Sequence, residues 1–319
     1  MENTHPQGIY KFGMEAGLKA TIKWIGIALG GLLGLLILSA LALYGLGQMR
    51  LRKIYKIAGE SVAIPVDAAS LSEGKRIFQY RGCEACHGEQ LQGLVYMDNP
   101  AIGQVITPNL TNGRGGIGGS LTDEDLIRAI RHGVRQDGTP LLFMPSTEFF
   151  YLSDGDLGKV LAYIHSMKPV DHAVPPSALS FTGFMVMNVT NAITFLPAEL
   201  IPHAQPRPVV PEPGITPQYG AYLSLSCMVC HGAGMSGGEI PGFPTEWPAP
   251  PNLTSGPGGR LPAWGQAGFI ELMRTGSKHG RAIGAGYMPW KSYRHMSDDE
   301  LRAVYVDLMS LPPRDFGSR

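Results

Sequence analysis

The chain has 319 residues with 26 Lys/Arg against 26 Asp/Glu, so the formal net charge is zero and charged residues are only 16% of the whole. That length fits about two domains, and the balance carries no basic excess of the kind that binds nucleic acid. The balance is uneven along the chain: residues 1–56 hold seven basic and two acidic side chains, and the remainder is mildly acidic.

The first predicted element is a membrane span. Trp24 to Leu46, WIGIALGGLLGLLILSALALYGL, contains no charge, and as a helix it is about 34 Å long against a hydrocarbon core of about 30 Å. A cleaved signal peptide is the competing reading, with ALA at residues 40–42 as its cleavage site, but the apolar run is too long for a signal h-region. Residues 1–21 are then a cytoplasmic tail, 22–47 an anchor and 48–66 a connector. Lys11, Lys19 and Lys23 precede the span, while Arg50, Arg52, Lys53 and Lys56 follow it, so the positive-inside count slightly favours the opposite orientation. Gly26, Gly30 and Gly34 form overlapping G-x-x-x-G patterns, which can admit a second helix.

Next comes CEACH at Cys83–His87, and 144 residues later CMVCH at Cys227–His231; these motifs contain all four cysteines. Two thiols at C-x-x-C spacing followed by His suit covalent haem attachment, with the imidazole on the iron. Such attachment is made on the periplasmic face of a bacterial membrane, which overrules the lysine count and puts the body outside.

A shift of 144 superimposes far more than the motifs. Phe78 falls on Tyr222, Met144-Pro145 on Met288-Pro289, Ser153-Asp154 on Ser297-Asp298, Leu157 on Leu301 and Pro169 on Pro313. PNLT at residues 108–111 matches PNLT at 251–254 with a one-residue slip. The body therefore reads as a tandem duplication: unit 1 over 67–170, a Pro-rich linker over 171–216, and unit 2 over 217–319. Among 14 methionines, Met144 and Met288 are the pair that coincides, each 57 residues after its His. A thioether opposite an imidazole is the ligation of electron-transfer cytochromes.

Within each unit the pattern predicts a helix before C-x-x-C-H, a long loop through PNLT, a helix, a Met-bearing loop and a terminal helix, with no strands. Thr122-x-x-Asp125, Ser153-x-x-Asp156 and Ser297-x-x-Glu300 are capping-box signatures. Leu157, Val160, Leu161 and Ile164, like Leu301, Val304, Tyr305 and Leu308, lie on one helical face.

The body resembles two class I cytochrome c domains in tandem, of the membrane-anchored dihaem type, over about residues 67–319. The resemblance implies a mainly α fold of one transmembrane helix and two cytochrome c domains. It implies two covalent haem c groups, on Cys83/Cys86 and Cys227/Cys230, with His87/Met144 and His231/Met288 as axial ligands. It further implies that the carbonyls of Pro108 and Pro251 accept a hydrogen bond from the proximal imidazoles, that Leu110 and Leu253 pack on the haems, that the two terminal helices of each unit touch, and that Phe78 and Tyr222 are the aromatics of the first helices.

His132, His165, His172, His203, His279 and His295 have no repeat partner and read as surface or loop residues. Arg131 and Arg135 read more simply as a solvated helix face than as propionate partners. Asn-x-Thr occurs at 109, 188 and 252, yet two copies belong to the repeated loop, so glycosylation is not expected. FTGFMVMNVTNAITFL at 181–196 is too short and too polar at Asn188 and Asn191 to span; it reads as a strap on one haem domain. Residues 57–170 carry nine basic and 13 acidic side chains and 218–319 nine and eight, which suggests different partners for the two units.

The leading expectation is a free membrane-anchored carrier of single electrons between periplasmic or membrane redox partners, in a respiratory or photosynthetic chain. The alternative is a tightly bound cytochrome subunit of a membrane oxidase or dehydrogenase; the cytochrome subunits of alcohol or sugar-acid dehydrogenases usually have three haem motifs, against two here. A dihaem peroxidase needs an open iron position, whereas both repeats offer a methionine. No nucleophile, base or substrate motif stands outside these sites, so no small-molecule substrate and no further catalysis are expected.

Overall fold

The computed structural model describes residues 8–190, 193–206, 209–240, 246–278, 280–284 and 286–319; Asn191 and His279 lie outside them. Helix α1 (Gly8–Leu51) is continuous well beyond the predicted span, and residues 18–51 are long and apolar enough to cross a membrane. Nothing lies within 4 Å of a side chain built on Gly26, Gly30 or Gly34.

Unit 1 comprises α2 (Ala68–Tyr80), α3 (Cys83–His87), strands β1 (Leu94–Asn99) and β2 (Gly103–Thr107), α4 (Asp123–His132), α5 (Ser146–Phe149) and α6 (Asp154–Ser166). The linker gives β3 (Ala178–Leu179) and α7 (Phe181–Val189). Unit 2 comprises α8 (Pro217–Ser224), α9 (Met228–His231), α10 (Leu261–Thr275), the short pair β4 (Ser277–Lys278) and β5 (Arg281–Ala282), α11 (Trp290–Tyr293) and α12 (Asp298–Ser310). The fold is mainly helical, as expected, but the loop before PNLT in unit 1 is a hairpin. β1 and β2 pair antiparallel from Leu94↔Thr107 to Asn99↔Gly103, and β3 adds to β2. LVYM and QVIT are too short and too polar at their ends for clear alternation, so pairing rather than periodicity fixes them.

The terminal helices of each unit cross closely because a glycine stands at each crossing. A Cβ on Gly74 would lie 2.0 Å from the Lys159 carbonyl oxygen, and one on Gly220 2.1 Å from that of Ala303. Lys159 and Ala303 are equivalent at a shift of 144, whereas the two glycines differ by 146. The first helix of unit 2 is therefore two residues nearer its motif: Arg81 and Gly82, the latter left-handed at φ 78°, have no counterpart, and a 3-10 turn over Leu225–Cys227 replaces them. This corrects the alignment of Phe78 with Tyr222. Phe78 stacks edge-on against Tyr163, and in unit 2 the same place is taken by Ser224, whose hydroxyl donates to Asp307 at 2.8 Å.

Tyr222 instead takes the position of Arg76, and both reach into the other unit. Arg76 donates to the Glu300 carboxylate, including a 2.8 Å bond to Oε1, while Tyr222 donates to Asp156 at 2.6 Å. Asp156 and Glu300 hold the same place in α6 and α12, so the units meet through reciprocal contacts, as an isologous pair does. One apolar cluster runs through both, with Ile77, Leu157, Leu161, Leu301 and Leu308 almost fully buried. Thr122/Asp125 and Ser297/Glu300 form complete capping boxes, but only the Ser153 hydroxyl caps α6, because its Asp156 is engaged by Tyr222.

Two further expectations are corrected. Arg131 is fully buried, donating to Glu60, Asp154 and the Leu152 carbonyl. His132 is equally buried, between Glu60 at 2.9 Å and His203 at 2.9 Å, so it joins the membrane connector, α4 and the linker. The strap reading holds, since Thr182 donates to the Ala101 carbonyl of unit 1 at 2.6 Å and the Phe195 carbonyl accepts from the Phe143 amide. α7 also packs on the end of α1, where Tyr44 contacts Phe181 and Phe184, and Asn188 donates to the Leu43 carbonyl at 3.0 Å. Phe184, Met187, Phe195 and Leu196 form a second core with Leu51, Leu142 and Phe143 against it.

Candidate functional site: two equivalent haem-attachment scaffolds

Each C-x-x-C-H segment is a short helix that ends in a left-handed glycine. α3 ends at Gly88 (φ 81°) and α9 at Gly232 (φ 79°), and one turn of helix brings both thiols of a pair to one side of the histidine. Beyond it, Leu91 (φ 57°) and Met235 (φ 53°) occupy the left-handed region that side chains avoid. Both are buried, and their carbonyls accept from the amides of Leu110 and Leu253, each at 2.8 Å. Met235 is thereby a core residue equivalent to Leu91.

His87 Nδ1 lies 3.3 Å from the Pro108 carbonyl oxygen, and His231 Nδ1 2.9 Å from that of Pro251. A carbonyl only accepts, so each Nδ1 carries the proton and each Nε2 keeps the lone pair a metal requires. Burial pushes both imidazoles below their ordinary pKa, which favours the same neutral form. The Gly93 and Gly237 amides close the turn on the His87 and His231 carbonyls, both at 2.9 Å.

The proline carbonyls are held by residues that the sequence showed only as part of PNLT. Asn109 and Asn252 have no solvent exposure. Asn109 donates to the carbonyls of Val170 (2.7 Å) and His172 (3.1 Å), and Asn252 to those of Arg314 (2.7 Å) and Pro257 (3.2 Å). Each carboxamide oxygen accepts from the amide and hydroxyl of Thr111 or Thr254. Val170 and Arg314 are equivalent positions just after the terminal helix, so the same amide ties each loop to the chain leaving the unit. With their amide nitrogens so used, these asparagines cannot carry glycans.

The methionine turns are also alike. Pro145 has φ −76° and ψ 50°, Pro289 φ −80° and ψ 49°, and each begins a one-turn helix. The Ser146 amide donates to the Met144 carbonyl at 2.7 Å, and that of Trp290 to Met288 at 2.8 Å. Phe143, held left-handed at φ 57°, donates its amide to the Phe195 carbonyl at 3.0 Å, which fixes the approach to Met144. Ser146 donates to the Ala129 carbonyl, and Trp290 fills the equivalent place against Gly276. Met144 is half-buried; Met288, Cys227 and Leu253 share the main core cluster, as do Cys83 and Leu110.

The charges of Arg81 and Glu148 are both felt at Cys83 and at Cys227, so these two residues lie within electrostatic reach of both attachment motifs. Burial pushes both of these thiols up to about 12. It raises the Glu148 carboxyl to about 7, with Arg81 opposing the shift. The Arg81 guanidinium stacks over Tyr80 and Tyr222, and its Nε and one terminal nitrogen are buried without a hydrogen-bond partner. No repeat marks either residue, so sequence reasoning missed both. Paired thiols, an imidazole presenting Nε2 and a thioether in each unit are a donor set that fits haem c.

Residues 69–164 match the family model described as cytochrome C oxidase, cbb3-type, subunit III, so unit 1 contains a cytochrome c domain. The chain is also 28% identical over 281 residues to the cytochrome c subunit of alcohol dehydrogenase (quinone) of Gluconobacter oxydans (strain 621H), covering 80% of this chain and 57% of that one. It is 27% identical over 270 residues to the fructose dehydrogenase cytochrome subunit of Gluconobacter japonicus, covering 77% and 53%. The gluconate 2-dehydrogenase cytochrome c subunit of Pantoea cypripedii is 27% identical over 280 residues, covering 77% and 60%. The chain spans somewhat more than half the length of these relatives. The chain is thus similar to the cytochrome subunits of dehydrogenases over most of its own length.

Proposed function

We propose that this chain is the membrane-anchored dihaem cytochrome c subunit of a membrane dehydrogenase complex, relaying single electrons between a catalytic subunit and a membrane or periplasmic acceptor. Cys83 and Cys86 would hold one haem through thioether bonds, with His87 and Met144 supplying the nitrogen and sulfur donors to its iron; Cys227 and Cys230 would hold the other, with His231 and Met288 as its donors. Bound there, each haem supplies a reversible one-electron couple. The observation that carries this reading is the repetition of one scaffold, His Nδ1 to a proline carbonyl and an identical Met-Pro turn, in two units joined by reciprocal contacts. The chain's part is to fix ligand geometry, exclude water and keep the two sites in one rigid body, so that little reorganises when charge moves. α1 anchors the chain in the bacterial inner membrane with both units on the periplasmic side.

The test is haem content and company after purification in mild detergent. The expected content is two covalent haems per chain, falling to one on Cys83→Ala/Cys86→Ala, with a dehydrogenase subunit in the same particle. A single haem in the unsubstituted chain would overturn the dihaem assignment, and elution of the chain alone would restore the free-carrier reading.

A further inference from the structure

The uncharged stretch of α1 is longer than a bilayer needs. From Trp24 to Met49 no residue is charged, which as helix is about 39 Å against a core of about 30 Å. The surplus, roughly two turns, coincides with the place where α7 sits. From Leu18 to Ala42 the large side chains of α1 are bare, as at Leu29 (61% exposed) and Leu38 (66%). From Leu43 onward one side is covered: Asn188 caps the Leu43 carbonyl, Phe181 and Phe184 pack on Tyr44, and Gly47 is buried, with Phe184 2.5 Å from where its Cβ would be. The bare section, Trp24 to Ala42, is about 28 Å long and matches the hydrocarbon core.

α7 itself, FTGFMVMNV, has no charge. Its Gly183, Phe184 and Met187 are buried, while Phe181 remains 50% and Val189 72% exposed. Just beyond α1, Arg52, Lys53 and Lys56 are exposed around Ile54, itself 58% exposed. Arg50 is not part of this group, because it donates to Glu199 and to the Met187 carbonyl. An apolar face level with the top of a membrane span, flanked by exposed Arg52 and Lys56 and by Lys53, whose ammonium also lies 4.5 Å from the centre of the Tyr55 ring, matches the chemistry of the bilayer interface.

We propose that α7 is an interfacial helix, lying at the headgroup–acyl boundary of the leaflet beside the two units, with Phe181 and Val189 in the boundary and Arg52, Lys53 and Lys56 on anionic lipid phosphates. The inference rests on α1 being a membrane anchor. It explains the cations on the unexpected side of the span: they bind lipid there. It also ties unit 1 to the membrane plane, since Leu142 and Phe143, which precede Met144, share one core with Phe184, Met187 and Leu51.

The test places single nitroxide labels on the full-length, haem-loaded chain in nanodiscs of phosphatidylcholine, with and without phosphatidylglycerol, using Leu33→Cys, Phe181→Cys, Val189→Cys and Asp98→Cys. The unsubstituted chain, whose cysteines are all bonded to haem, serves as the blank. Power saturation with oxygen and a water-soluble nickel chelate is expected to put Leu33 at the bilayer centre, Phe181 and Val189 at the boundary, and Asp98 in water. If Leu33 is deep while Phe181 and Val189 are as nickel-accessible as Asp98, the proposal fails and the anchor stands. If Leu33 is in water, the anchor and the proposal fail together. Adding Arg52→Gln/Lys53→Gln/Lys56→Gln is expected to move the Val189 label outward only in discs containing phosphatidylglycerol; equal depth in both would overturn the headgroup contact.

Discussion

The reciprocal interface gives the sharpest prediction, because two chemically different groups do the same job at equivalent positions. Tyr222→Phe removes a 2.6 Å hydrogen bond to the Asp156 carboxylate and leaves the Ser153 amide without its 3.3 Å acceptor. A hydrogen bond to a charged, half-buried group contributes about 2 kcal/mol. Arg76→Met removes both bonds to Glu300, whose side chain is 7% exposed, but leaves that carboxylate its Ser297 amide. Arg76 is itself 27% exposed, so solvent screening reduces the cost of a broken buried pair from several kcal/mol to about 2 kcal/mol. Arg114→Met, which breaks the exposed pair with Asp171 (89% and 53% exposed), is the control, expected to cost less than about 0.5 kcal/mol. Guanidinium unfolding in detergent, followed by Soret absorbance and far-ultraviolet dichroism, reads all three. The two interface variants are expected to lower the midpoint well beyond the control and to separate the unfolding of the units. If all three variants shift equally, the reciprocal contacts do not hold the units together.

The remaining predictions concern the sites. Met144→Ala and Met288→Ala should each remove about half of the methionine-to-ferric-iron charge-transfer band, and survival of the whole band in both would refute the ligation. Glu148 has its carboxyl raised to about 7 by burial, so its contribution to stability is complete below the ordinary carboxylate range and is lost as pH rises through about 7. Glu148→Gln should flatten stability between these limits, and should also remove a fall in reduction potential over the same window, measured by spectroelectrochemical titration. Asn109→Ala forfeits two donated bonds and the acceptor of Thr111, at about 3 kcal/mol. It should loosen the Pro108 carbonyl enough to shift the His87 resonances in NMR of the haem-loaded protein, while those of His231 stay in place.

The linear repeat made much of the fold legible. The motifs, the Met-Pro pairs and the capping signatures are local, so a fixed shift exposes them, and the terminal helices follow from periodicities that Leu157, Leu161, Leu301 and Leu308 meet by burial. The β1–β2 hairpin was not legible because its stability lies in pairing across the turn, not in its own alternation. Arg131 reads as part of a solvated helix face and His132 as a surface or loop residue because their partner Glu60 is some seventy residues away, in the chain that follows α1. Nor did a shift of 144 reveal that Tyr222 does the work of Arg76: the two-residue difference at Arg81-Gly82 moves the register by half a helical turn, and only the glycine crossings show it. By itself the sequence pointed to the proposed ligands, the repeat and the candidate span, since each is written within one segment. The tertiary structure alone decided which faces of the units meet, which charges both attachment motifs feel, and that the linker helix returns to the end of α1, because contacts distant in the chain exist only once it has folded.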